Sequence, residues 1–208
     1  MSRRISRDAR AEAIARAALP LFAELGVRGA STRAIARRAQ MTEGNLYRYF
    51  PSKQEIARRV LSGCLTSFGE FIARALDGVA GPRARLRAFV RAYLDFARQR
   101  PMEHTLVVEA HHREIATLPE DMLRPRRILM DILSDGMGSG DFERADPRLL
   151  APFIAGGLAR AALAAAARHP EASPEEVARE LADTVERLVG ASRALRGGDG
   201  FREGGSVA

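Results

Sequence analysis

Apolar side chains recur at three- and four-residue intervals along almost the whole chain, and this spacing restricts the fold more than any other feature. Ile14, Ala18 and Leu21 show the pattern near the N-terminus, and Gly26 follows where that helix should end. Alternating apolar and polar runs, which would predict strands, are almost absent. We therefore predict an all-α protein of about nine helices.

Helix starts are marked by short polar residues that can cap free backbone N–H groups. A serine followed three residues later by glutamate is a capping box, in which each residue caps the other. The predicted caps are Ser31 or Thr32, Thr42, Ser52 with Glu55, and Ser173 with Glu176.

The positive charge is concentrated in the first 60 residues, which hold 13 basic and five acidic residues. The other 148 residues hold 20 basic and 21 acidic residues. A small basic segment joined to a nearly neutral remainder is typical of a module that binds a polyanion such as DNA, although a merely solvated basic face would look the same.

Two short helices joined by a tight turn lie inside this basic segment and form a helix-turn-helix candidate. In the second, Leu46 and Phe50 lie four residues apart and should face inward. The other side chains suit base edges and phosphates, and hydroxyls at helix N-termini suit phosphates as well. These candidates are Thr32, Thr42, Gly44, Asn45, Tyr47, Arg48, Tyr49 and the chain's single lysine, Lys53.

Residues 26–56, GVRGASTRAIARRAQMTEGNLYRYFPSKQEI, closely resemble the DNA-binding signature of the tetracycline-repressor (TetR) family of regulators. The matching positions are Gly26, Thr32, Ile35, Ala36, Ala39, Gly44, Leu46, Tyr47, Phe50 and Lys53. Gln40 stands where the family usually has glycine, so a positive φ there would strain the turn. The resemblance implies a DNA-binding domain over residues 1–52 and an effector-binding and dimerisation domain over residues 53–190, and we expect a disordered tail over residues 191–208.

The resemblance also implies roles for individual side chains. Arg33 is a possible base contact, and Gly44, Asn45 and Arg48 would lie at or near the floor of the DNA groove. Phosphate contacts are implied for Thr32, Thr42, Tyr47, Tyr49 and Lys53. For Glu43 two interpretations stay open: its carboxylate accepts a hydrogen bond from cytosine, or it stabilises the helix N-terminus.

Two further sets of residues are candidates for an effector pocket and a dimer interface. Aromatic residues, with histidines as polar handles, are expected around a cavity, and each could equally be ordinary core: Phe68, Phe71, Phe89, Tyr93, Phe96, His104 and His111. Apolar stripes on the last two helices are expected to pair across a homodimer, or else to form an internal core: Phe153, Ile154, Gly157, Leu158, Ala161, Leu181, Val185 and Leu188.

The resemblance to the TetR family further implies a homodimeric repressor that leaves a palindromic operator when a small effector tilts the long helix beginning near Ser52. The alternatives are a non-specific architectural DNA binder and a small-molecule-binding protein with a vestigial helix-turn-helix. We predict no enzymatic activity, metal site or cofactor, because no catalytic or metal-ligand arrangement is visible. A single cysteine fits a cytoplasmic location, and residues 149–167 are expected to be a buried or interface helix, because Arg160 makes insertion into a membrane costly.

Overall fold

The computed structural model of the protein describes residues 7–113, 124–168 and 173–190. Within these ranges it contains nine α-helices and no strand, which confirms the predicted all-α fold. The helices are α1 (Arg7–Gly29), α2 (Thr32–Arg38), α3 (Glu43–Tyr47), α4 (Lys53–Ala75), α5 (Pro82–Gln99), α6 (Pro101–Arg113), α7 (Arg124–Ser139), α8 (Pro147–Arg168) and α9 (Pro174–Gly190). The predicted tail, residues 191–208, lies outside the described residues.

Side-chain caps start the helices where the sequence predicts them. The Ser31 hydroxyl accepts from the N–H of Ala34 at 3.1 Å, so Ser31 rather than Thr32 is the cap of α2. The Ser52 hydroxyl accepts from the N–H of Glu55 at 3.2 Å at the start of α4. Each of these bonds satisfies one of the four N–H groups that a helix start leaves free.

Before α9, the predicted capping box is complete in both directions. The N–H of Glu176 donates to the Ser173 hydroxyl at 3.2 Å, and the N–H of Ser173 donates to the Glu176 carboxylate at 3.0 Å. The hydrogen bond from the Ser173 N–H, assisted by the Ser173 side chain, holds the pKa of the Glu176 carboxyl below its usual value. The start of α9 is therefore fixed by its own sequence.

Gly26, where the sequence predicts the end of this helix, is non-helical, with φ at 68° and ψ at 165°, and α1 continues beyond this kink to Gly29. A residue with a Cβ is strained at such a positive φ, whereas glycine adopts it readily. The N–H of Ala30 then donates to the carbonyl of Gly26 at 3.1 Å, which closes the turn that leads to α2.

The chain divides into two compact units. Among the described residues, the first comprises 7–75, 92–113 and 124–127. In it, α1 packs against α2, α4 and α6, and α4 also packs against α6. Its core contains fully buried side chains from each of the first four helices, among them Ile14, Ile35, Leu46 and Ile56. The predicted boundary between DNA-binding and effector domains at residue 52 stays a prediction.

Among the described residues, the second unit comprises 76–91, 128–168 and 173–190. In it, α8 packs against α9. Arg87 of α5 forms ion pairs with two carboxylates of α9, at 2.6 Å to Asp183 and 2.5 Å to Glu186. Phe142 is buried against the backbone at Gly136, where a side chain would have no room.

Among the described helices, only α8 is long and apolar enough to cross a membrane by length and composition. An apolar helix of a water-soluble protein meets the same criterion, so this finding alone does not assign a membrane.

Candidate nucleic-acid interface

The turn between α2 and α3 depends on a left-handed residue. Gln40 has φ at 56°, the only positive φ of a non-glycine residue in the described ranges. The N–H of Met41 donates to the carbonyl of Ala36 at 3.0 Å, so the chain reverses tightly after α2. Gln40 therefore adopts a conformation that costs an L-residue about 1–2 kcal/mol, at the position where the TetR signature usually has glycine.

Helix α3 buries one face and leaves its polar face exposed. Leu46 is fully buried and Phe50, just beyond the helix, is 9% exposed. Gly44, Asn45 and Arg48 are exposed. Tyr47 is 47% exposed and Tyr49 is half-buried. The predicted inward and outward faces are thus confirmed, while the roles of the outward residues in DNA binding stay predictions.

Thr42 is the cap of α3. Its hydroxyl accepts from the N–H of Asn45 at 3.2 Å, and its carbonyl accepts from the N–H of Leu46 at 3.1 Å. The Thr42 side chain is exposed and directly precedes α3.

The first residues of α2 and α3 are joined by their side chains. The Thr32 hydroxyl donates a hydrogen bond to the carboxylate of Glu43, and both side chains are half-buried. Glu43 also lies at the positive end of the α3 dipole, where a carboxylate is favoured. Arg33, next to Thr32, is exposed. Pairing across 11 residues is a tertiary contact that no local pattern indicated.

Lys53, at the start of α4, is engaged with the end of α1 and the turn after it. Its ammonium donates to the carbonyl of Arg28 at 2.9 Å and to the carbonyl of Ala30 at 2.8 Å. An ammonium has three protons, so one remains for another acceptor such as a phosphate. The sequence suggests the phosphate contact of Lys53, but no pattern in it indicates the hydrogen bonds to these two carbonyls.

Four arginines of the helix-turn-helix are exposed and, within the described residues, unpaired with any carboxylate: Arg33, Arg37, Arg38 and Arg48. Two arginines of α4 are instead paired, Arg59 with Glu12 of α1 and Arg58 with Glu55 at 3.0 Å. Unpaired positive charge is therefore present on the surface formed by α2 and α3.

The candidate pocket residues form an aromatic cluster in the first compact unit. Phe68 of α4 contacts Tyr93 at a 5.2 Å centroid distance and Phe96 at 4.6 Å. Phe71 contacts Phe96 at 5.6 Å. Phe89 is also buried but belongs to the second unit, and the side chain of His111 lies outside the described residues. Whether the cluster borders a cavity stays a prediction.

His104 supplies the polar group of this cluster. Its Nε2 lies 3.4 Å from the Tyr93 hydroxyl, and the two rings meet edge to face. Burial lowers the pKa of His104 and raises the pKa of Tyr93 above its ordinary value. Both side chains are therefore uncharged near neutral pH and can exchange hydrogen bonds with a neutral polar group.

Arg100 borders the same aromatic cluster and was not predicted. Its guanidinium carbon lies 5.9 Å from the centre of the Phe96 ring, and its Nη1 donates to the Ser67 hydroxyl. It also pairs with Glu103 at 3.5 Å. Arg100 directly follows α5, and its N–H donates to the carbonyl of Phe96 at 2.8 Å, one helical turn earlier. This four-residue spacing is the only indication of the contact in the sequence.

The candidate dimer residues divide into two groups. Ile154, Leu158 and Val185 are buried within the chain, which matches the internal-core interpretation for these three. Phe153 is 67% exposed, Leu188 is 44% exposed and Gly157 is also exposed, whereas Ala161 and Leu181 are half-buried. Leu149, one turn before Phe153, is 73% exposed. The outer face of α8 thus carries large apolar side chains without cover in the single chain.

Comparison with protein families places the helix-turn-helix in a known class. Residues 14–60 match the family model described as "Bacterial regulatory proteins, tetR family". The repressor KstR2 of Mycobacterium tuberculosis is 27% identical over 141 residues, a match that covers 60% of this chain and 65% of that protein. The match therefore spans a little less than two thirds of that relative's length.

Solved structures extend the similarity of the fold to most of the chain. The regulator FadR of Bacillus subtilis, solved with stearoyl-CoA, superposes with a TM-score of 0.68 at 19% identity, covering 86% of this chain and 97% of that one. AibR, solved with isovaleryl coenzyme A and operator DNA, superposes with a TM-score of 0.62 at 20% identity, covering 86% and 97%. At such identities the likeness establishes the fold.

Proposed function

We propose that this chain, which belongs to the TetR family of bacterial regulatory proteins, is a homodimeric transcriptional repressor that a small effector releases from a palindromic operator. The observation that carries the proposal is the short helix α3, which buries Leu46 and exposes Asn45 and Tyr47. The exposed Arg48 follows it directly and is one of the unpaired arginines of the helix-turn-helix. Such a helix fits a major groove, where amide and guanidinium groups distinguish bases.

Two copies of α3 are needed, because one short helix reads too few base pairs for a specific site. The exposed apolar face of α8, with Leu149 and Phe153, and the exposed Leu188 of α9 support a homodimer. Pairing these helices with those of a second copy would make a four-helix interface and cover the face. Burial of this face in a dimer would also explain why α8 is apolar without requiring a membrane, which agrees with a cytoplasmic protein.

Helix α4 supports coupling between effector and DNA. It begins with Lys53, bonded to the end of α1, and carries Phe68 of the aromatic cluster 15 residues later, about 22 Å along the helix axis. A ligand that displaces the cluster would tilt α4 and so change the separation of the two α3 helices. A coupling of about 1–3 kcal/mol lowers operator affinity about five- to 150-fold.

Acyl-CoA thioesters are the effector class to screen first. Stearoyl-CoA and isovaleryl coenzyme A are bound by the structural neighbours FadR and AibR. In this chain the aromatic cluster suits an apolar acyl chain, and the neutral Tyr93 and His104 suit a carbonyl oxygen. The proposed activity is binding alone, without a catalytic step.

The experiment that tests the proposal is selection of bound duplexes from a randomised pool at about 150 mM salt, because salt sets the non-specific background. A palindromic consensus is the expected result. Retention without a consensus would support an architectural DNA binder, and no retention would leave the small-molecule-binding alternative with a vestigial helix-turn-helix. The consensus duplex then serves to screen acyl-CoA compounds for release.

A further inference from the structure

We propose that Glu43 is a positioning residue, which holds the DNA-reading helix α3 against α2 through Thr32 and does not itself read a base. This inference rests on the proposed DNA-binding function. Its starting observation is the hydrogen bond from the Thr32 hydroxyl to the Glu43 carboxylate, which joins the first residue of α2 to the first residue of α3.

This hydrogen bond restricts the other contacts that the Thr32 and Glu43 side chains can make. A threonine hydroxyl has a single proton, and here Glu43 accepts it. Phosphate oxygens are acceptors, so the same hydroxyl cannot donate to a phosphate while it donates to Glu43. A carboxylate that loses water at a DNA interface needs another hydrogen-bond donor, and the Thr32 hydroxyl is such a donor for Glu43.

Helix α3 benefits from such a tether because it is short. Of its five residues only Leu46 is buried, and Phe50, just beyond its end, is the second inward side chain. A helix this short has almost no stability of its own, so its orientation depends on its contacts with α2. The turn before it contains the strained Gln40, with φ at 56°. The side-chain hydrogen bond at Glu43, the first residue of α3, therefore fixes the direction in which Asn45 and Arg48 point.

The tether is tested first without DNA, by hydrogen exchange of the N–H groups of Leu46 and Phe50, which are bonded to the carbonyls of Thr42 and Leu46. Glu43→Gln keeps an acceptor oxygen for Thr32 but removes the charge, whereas Glu43→Ala removes both. Both substitutions are also made in the Thr32→Val background, which lacks the hydroxyl. In each background, Glu43→Ala is compared with Glu43→Gln. Neither variant has a charge at residue 43, so the loss of the favourable interaction with the α3 dipole is the same in both and cancels in the comparison.

With Thr32 present, we expect exchange in Glu43→Ala to be about fivefold or more faster than in Glu43→Gln, the effect of losing one hydrogen bond. In the Thr32→Val background the two variants should agree within about twofold. Operator affinity should follow the same pattern, and Glu43→Gln should select the wild-type consensus. The proposal would be overturned if Glu43→Ala and Glu43→Gln had equal exchange rates in α3 both with Thr32 present and in the Thr32→Val background.

A direct base contact gives a different signature. Glu43→Gln would then lose the preference for cytosine at one position of each half-site, while exchange in α3 stayed unchanged. That result would also overturn the proposal. If the wild-type protein selects no consensus, the proposed function fails, but the exchange measurement still decides whether Glu43 holds α3.

Discussion

Lys53 connects the start of α4 to the end of α1, and its removal should destabilise the protein measurably. Its ammonium donates to two backbone carbonyls, at 2.9 Å to Arg28 and 2.8 Å to Ala30. A hydrogen bond from a charged group contributes about 1.5–3 kcal/mol, which we reduce to about 2 kcal/mol for both because the site is partly exposed. For a chain of this size, Lys53→Met should therefore lower Tm by about 4–8 °C.

Thermal unfolding of Lys53→Met and of a matched control measures this effect. Arg58→Met removes another α4 cation, which pairs with Glu55 at 3.0 Å on the surface, and it should change stability by less than about 1 kcal/mol. Lys53→Arg should restore only part of the loss, because a planar guanidinium does not match two carbonyls placed for an ammonium. An unchanged Tm in Lys53→Met would refute the reasoning.

The salt dependence of DNA binding separates the internal role of Lys53 from the phosphate contact that the sequence suggests. If its third proton reaches a phosphate, Lys53→Met lowers the slope of log K against log salt by about 1. A lower slope with an unchanged Tm would assign Lys53 to DNA alone. A lower Tm with an unchanged slope would assign it to the fold alone.

Three further substitutions test the fold and its assembly. Gln40→Gly should raise the free energy of unfolding by about 0.5–1 kcal/mol, because glycine relieves the positive φ, whereas Gln40→Ala should not; chemical denaturation measures both. Gly136→Ala should cost about 1–3 kcal/mol in the same assay, because its Cβ would overlap the Phe142 ring, while Gly138→Ala meets open space and should be tolerated. Phe153→Glu should give monomers in analytical ultracentrifugation, and Leu25→Glu, at another exposed apolar residue, should leave the dimer intact.

Local chemistry made much of the fold predictable. Helix periodicity, the caps Ser52 and Ser173, and the break at Gly26 each involve residues within a few positions of one another, so the sequence contains all the interacting groups. The inward face of α3 follows in the same way from the four-residue spacing of Leu46 and Phe50.

Contacts between distant segments were not predictable in this way. Lys53 reaches carbonyls 23 and 25 residues earlier, and Thr32 pairs with Glu43 across 11 residues. Neither pairing produces a local pattern, because many arrangements of helices satisfy the same periodicity. The stripe on α8 shows a related limit, since spacing alone does not distinguish Ile154, which packs inside its own chain, from Phe153, which is exposed.

The most direct test of the central claim, that α3 reads operator DNA as part of a symmetric dimer, is a second selection of duplexes with Arg48→Ala, with Arg91→Ala of α5 as a control. Arg48 is exposed on the outward side of α3, and Arg91 is an exposed arginine of the second compact unit. We predict that Arg48→Ala relaxes the consensus at symmetric positions of the two half-sites, each losing about 1–3 kcal/mol of discrimination, while Arg91→Ala selects the wild-type site. A consensus unchanged by Arg48→Ala, or changed in one half-site only, would contradict the claim.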